Sequence, residues 1–213
     1  MESIEIQNWN KIVKPKLPAG PHGPFEKKSQ QALANVLQEW TAKCIETHLR
    51  EIVPEGKWKI QHKGKRFLGA IRNQEVDNWL WDDRAGLILA ADPKHFQSQD
   101  SFRKNWQNGL NDLLAFTTNL HERFPMCAVL GVISFPEWAV TESDLKKVLN
   151  ICKRSVPRER PNNAYGKFEG FALAIYNAKG DLIWPFDKTT RLDPASAFTD
   201  AANVIYSRTI SLL

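Results

Sequence analysis

The chain has 213 residues, a formal net charge of +5 and an isoelectric point near 9.1. That length supports a full hydrophobic core and reads as one domain, and the mildly basic balance fits a polyanionic partner without demanding one. Cys44, Cys127 and Cys152 are widely spread with no C-x-x-C spacing, which argues against a zinc ribbon or a disulfide framework and fits a reducing cytoplasm. No apolar run approaches the ~18 residues of a membrane span. The N-terminus shows no charged segment followed by an apolar one, so a secretory signal is not expected.

Residues 1–24 carry Pro15, Pro18, Pro21 and Pro24 with Gly20 and Gly23, and are expected to form an irregular N-terminal arm without regular elements. Residues 25–213 are expected to form the single folded domain. Ala32, Leu33, Val36, Leu37, Trp40, Cys44, Ile45 and Leu49 recur at three- and four-residue intervals, which predicts an amphipathic helix from about Pro24 to before Pro54. Glu26 falls in its first turn, where an acid complements the helix N-terminus.

Lys57 to Ile71 is rich in Lys, Arg and His with interleaved aromatics. Trp58 and Ile60 alternate with polar residues, predicting a strand and then a turn at Gly64. Such a segment suits clamping a nucleic-acid backbone, and equally an edge strand protected by lysines. Next come two β-prone runs, Val76 to Trp81 and Leu87 to Ala91, around Asp82-Asp83-Arg84-Ala85-Gly86. This is a hairpin signal.

A helix is predicted to begin at Ser101, with Asp100 or Ser101 as its cap and Phe102, Trp106, Leu110, Leu113, Leu114 and Leu120 on its buried face. Arg103, Lys104 and Asn108 occupy the other face. Near a helix N-terminus they suit phosphate positioning, or simply form a solvated face. Met126 to Phe135 is nearly all apolar and ends at Pro136, so it reads as a strand buried on both faces that completes a parallel β-α-β unit. Thr141 caps a further helix with Leu145, Val148, Leu149 and Cys152 inside. Val156 to Lys167 is a polar, basic loop in which Arg158, Arg160, Asn162 and Asn163 are chemically suited to purine edges. A second hairpin is predicted around Asn177 to Gly180, and Ser196 to Leu213 as a closing helix. The order predicts an α/β sandwich with a mixed sheet.

The chemistry concentrates at the first hairpin. Asp92 and Lys94 are two residues apart, so an extended chain points both to one face, and antiparallel pairing brings Asp77 to the same end. An acid, a hairpin and then Asp-x-Lys resembles the PD-(D/E)xK nuclease superfamily, which includes most type II restriction endonucleases. Val76 stands where that family often has proline, and Pro93 sits between the acid and the lysine, where a proline is disfavoured within a strand. The Gly-x-Phe-Glu opening of the first helix also resembles the family's catalytic domains, in which that Glu (here Glu26) can join the metal site.

The resemblance implies a restriction-endonuclease-like three-layer α/β/α sandwich with a mixed central sheet. It implies a Mg²⁺-dependent endonuclease, with Mn²⁺ as substitute, cutting double-stranded DNA, most simply as a homodimer of a restriction-modification system in the cytoplasm. Asp77, Asp92 and Lys94 would be catalytic, with Asp77, Asp92 and Glu26 toward the metal. The alternative is a nuclease fold that binds nucleic acid, or serves a partner, without cutting. Other chemistries lack their patterns: the five histidines show no metal-ligand spacing, and no P-loop, G-x-G-x-x-G or G-x-S-x-G occurs.

Overall fold

The structure is a computed structural model that describes residues 2–17, 27–54, 58–158, 166–186 and 188–209. It is an α/β architecture in which a mixed, curled sheet lies between two layers of helices. In chain order its elements are α1 (Ile4–Asn8), α2 (Lys27–Ile52), β1 (Lys65–Leu68), β2 (Asn73–Val76), β3 (Asn78–Asp82), β4 (Gly86–Ala91), β5 (Lys94–His95), α3 (Gln99–Arg123), β6 (Ala128–Pro136), α4 (Glu142–Arg154), β7 (Gly170–Tyr176), β8 (Leu182–Ile183) and α5 (Pro194–Thr209).

The main sheet runs β3-β4-β6-β7-β8, with β5 also paired to β6. The β3–β4 and β7–β8 pairs are antiparallel hairpins, while β4, β5 and β7 run parallel to β6. The predicted β-α-β unit is therefore present. Strand β6 is buried at every position, as a central parallel strand covered on both faces must be. Its residues alternate between two cores. Ala128, Leu130 and Val132 face Trp40, Ile45 and Phe198 of α2 and α5, whereas Val129, Ile133 and Phe135 face Phe102, Phe116 and Val148 of α3 and α4.

Local signals set most boundaries. Asp82 Oδ1 accepts from Arg84 N (2.8 Å) and Ala85 N (2.9 Å), tying the first hairpin turn, and Gly86 closes it at φ +78°, a conformation glycine adopts freely. Thr141 caps α4 by accepting from Asp144 N. The cap of α3 is Ser98, which accepts from Ser101 N. The helix thus starts earlier than Ser101. Trp58 and Ile60 form no strand of their own; that segment joins the sheet through a single bridge between Gln61 and Trp79.

Two further expectations are corrected. The first part of the supposed irregular arm is helical. Ile4–Asn8 continues through a wider turn at Trp9–Val13, burying Trp9 and Val13 completely. Trp9 Nε1 donates to Gly180 O (2.8 Å) and Trp40 Nε1 donates to Glu5 O (3.0 Å), so this segment is part of the α2/α5 core. Arg158 is also not an exposed base reader. It is fully buried, donating to Glu169 Oε1 (2.9 Å) and Pro125 O (3.1 Å). Glu169 also receives Arg208 and His121, so the loop's arginine belongs to an internal charge cluster. All three cysteines are buried free thiols. Among the described residues no helix is long and apolar enough to cross a membrane.

Candidate active site

The β3–β4 ladder ends at the pair Asn78 and Ala91. The next residues outward on the two strands are Asp77 and Asp92, so register alone places them opposite each other. Their carboxyl groups are close enough for Asp92 to act on the ionisation of Asp77. Burial pushes Asp77 up to about 6, the adjacent Asp92 carboxylate adds to the shift, and a hydrogen bond from Gln38 and the Lys94 charge oppose it.

Pro93 interrupts the ladder without displacing it. Ala91 pairs with Leu130 and Lys94 with Ile133, at the same register offset on either side of the proline. Pairing lapses over Asp92 and Pro93 and then resumes, with no bulge. The alternation of side chains therefore survives, and Lys94 Nζ lies 2.6 Å from Asp92 Oδ2. Both groups are partly exposed, at 31% and 17% of their side chains, so the pair is sheltered but open to a ligand.

Beside Asp77 opens a cleft of about 470 Å³ lined by Gln31, Asn35, Gln38 and Glu39 of α2, and by Lys63 and Glu75 of the neighbouring segments. Gln38 joins α2 to the site: its carbonyl accepts from Asn78 Nδ2 (2.8 Å), and its side chain lines the cleft with Asp77, whose ionised form it favours. These α2 residues were not anticipated, although a signal existed. Gln31, Asn35 and Gln38 recur at intervals of four and three, a polar stripe flanking the apolar one of Leu33, Leu37 and Trp40.

His95 faces away from the acids. Its ring nitrogens are buried, burial pushes the ring down to about 3, and it stacks on Tyr176 at 6.0 Å. It is a neutral core imidazole. Arg103, Lys104 and Asn108 are exposed on α3, with Arg103 Nε 3.9 Å from Asp144. Glu26, Arg160, Asn162 and Asn163 lie outside the described residues.

Two half-buried carboxylates and a cleft of amide oxygens are a hard-oxygen donor set. Magnesium takes one or two carboxylates and completes its shell with water and substrate phosphate, so the residues fit such an ion. No cluster of three or more His, Cys, Asp or Glu gathers among the described residues. Comparison of the chain with family models, with curated proteins and with solved structures finds no match.

Proposed function

We propose that the protein is a Mg²⁺-dependent endodeoxyribonuclease with a restriction-endonuclease-like three-layer fold, hydrolysing phosphodiesters of double-stranded DNA. The observation that carries this reading is the meeting of Asp77, Asp92 and Lys94 at one sheet end, in register across Pro93. A decayed nuclease fold acting only as a binder has no need to keep two acids and a lysine together.

Asp77 and Asp92 would hold the metal, with Gln38 fixing the Asp77 carboxyl and Glu39 at the cleft wall. When bound, the ion supplies Lewis acidity to the phosphate and a more acidic water. Lys94 is placed to orient the attacking water or to hold the scissile phosphate. Water oxygen then bonds to phosphorus as the 3′ oxygen leaves, giving the 5′-phosphate that the family resemblance implies. Arg103 and Lys104 of α3 supply phosphate contacts. A restriction-modification role in the cytoplasm, and a homodimer whose two sites cut the two strands of a palindrome, complete the proposal.

The test is incubation with plasmid and phage DNA in Mg²⁺ beside an Asp92→Ala control. Cleavage lost in the control supports the reading, and discrete bands identify a sequence-specific enzyme. Equal nicking by both proteins overturns it.

A further inference from the structure

The β1–β2 hairpin has no place in the proposed chemistry, yet it grows from the rim of the cleft. Lys63 and Gly64 at the foot of β1, and Glu75 and Asp77 at the foot of β2, all line that cleft. The two strands form a separate two-stranded sheet, paired from Lys65 and Val76 to Leu68 and Asn73. At its tip Leu68 is 64% exposed and Ile71 is 76% exposed, the two most exposed large hydrophobic side chains among the described residues.

That exposure is held in place. Gly69 N closes the turn on Arg72 O, and Asn119 of α3 grips the tip from behind. Asn119 Oδ1 accepts from Ile71 N (2.8 Å) and Arg72 N (3.2 Å), its Nδ2 donates to Arg72 O (3.0 Å), and its carbonyl accepts from Ala70 N (3.1 Å). Asn119 is itself buried. The approach is so close that a Cβ on Gly69 would lie 2.3 Å from the Asn119 amide. Below the tip, Phe67 and Val76 are buried against the body of the protein. An isolated two-stranded hairpin is marginal in water, so this anchoring keeps two aliphatic side chains pointing at solvent in one conformation.

The surroundings of the tip are cationic. Lys59, Lys63, Lys65, Arg66 and Arg72 lie between Trp58 and Gln74, and the one acid of the hairpin is Glu75, which faces Arg66 across the strands at 3.8 Å. Two aliphatic side chains fall well short of the ~800 Å² per partner that a stable protein interface buries. Apolar residues set among cations, on a rigid projection beside a phosphodiester site, match the way proteins part stacked bases.

We propose that Ile71, backed by Leu68, is a wedge that inserts between base pairs of duplex DNA while Arg66 and Arg72 hold the flanking phosphates. The proposal rests on the DNA-cleaving reading of the cleft. Ile71 stands six positions before Asp77, a reach of at most ~20 Å at ~3.3 Å per residue. At 3.4 Å per step along a strand, that sets the wedge within about six base-pair steps of the scissile phosphate.

Insertion untwists DNA, so the test is topological and requires no recognition sequence. Relaxed closed-circular plasmid is mixed with protein in EDTA, re-equilibrated with a metal-independent topoisomerase, and deproteinised. The wild type is expected to shift the topoisomer distribution. Ile71→Ser, a surface change, should abolish the shift while retaining plasmid binding with an unchanged salt slope, and Ile71→Phe should preserve it. An equal shift with Ile71→Ser, or plasmid binding by the wild type with no shift, overturns the wedge. So does an Ile71→Ser protein that loses self-association in sedimentation but keeps the shift, because the tip would then join two copies. Mg²⁺-dependent cleavage is measured on the same preparations. An Ile71-dependent shift without cleavage removes the nuclease reading and leaves the wedge standing, whereas cleavage without such a shift removes the wedge alone.

Discussion

Lys94 Nζ lies 2.6 Å from Asp92 Oδ2, on the far side of a proline that the strand passes without losing register. Proline removes a backbone donor, and the ladder to β6 is silent over Asp92 and Pro93. The partners on either side keep the same offset, so the two side chains stay on one face. Pro93 is therefore compatible with the acid-x-Lys geometry rather than a defect in it.

The Asp77 carboxyl, pushed up to about 6 by burial and by Asp92, gives the site a pH dependence. Below about pH 6 Asp77 holds a proton, which a metal must displace. Mn²⁺ affinity is expected to fall roughly tenfold per pH unit as pH drops below 6, and to level off above it. Calorimetric titrations at pH 5, 6, 7 and 8 measure this. A flat profile across that range would exclude Asp77 as a ligand.

The same shift carries a stability cost. A carboxyl raised in the folded state is protonated in both states below about pH 4, and ionises less readily in the fold than in the unfolded chain between about pH 4 and 6, so stability falls across that window as pH rises. Asp77→Asn removes the cost. At pH 7.5, without metal, it should stabilise by about 1 kcal/mol once solvent screening of this half-exposed group is allowed for, raising Tm by about 2–4 °C. The gain should vanish at pH 4, and thermal denaturation at the two pH values checks it.

Gln38 acts through Asp77 and is a positioning residue. Gln38→Ala leaves its carbonyl bond to Asn78 intact but frees the Asp77 carboxyl. Loss of such an outer partner typically costs about 10–100-fold in metal affinity. The expected signature is weakened Mn²⁺ binding at unchanged DNA affinity, with partial rescue by Gln38→Asn.

Basic residues should separate into two groups. Arg158→Ala leaves the buried Glu169 with Arg208, His121 and the Val129 N–H, and should destabilise by about 3 kcal/mol while the folded protein binds DNA as before. Arg103→Ala and Lys104→Ala should leave stability unchanged and each reduce the salt slope of DNA binding by about one. Denaturant unfolding and salt-dependent binding measurements distinguish the groups.

The readable parts of this chain were those with a strong local period or a single chemical logic. The apolar run of β6, the stripe of α2 and the Asp-x-Lys spacing each follow from backbone geometry. The first helix was missed because the prolines that follow it dominate the composition, although Ile6, Trp9 and Val13 repeat at three and four. Arg158 was misread because a basic polar loop looks exposed, and its partner Glu169 is eleven residues away. Gln38 and Asn119 became meaningful only when tertiary packing brought α2 to Asp77 and α3 to the hairpin tip. No spacing rule records contacts at that sequence distance.

The central claim is that Asp77 and Asp92 together hold a divalent ion, and calorimetric titration of Mn²⁺ at pH 7.5 tests it most directly. The account predicts saturable binding by the wild type, tightened by duplex DNA, and its loss in both Asp77→Ala and Asp92→Ala. Absence of binding by the wild type with and without DNA, or an isotherm unchanged by either substitution, would contradict it.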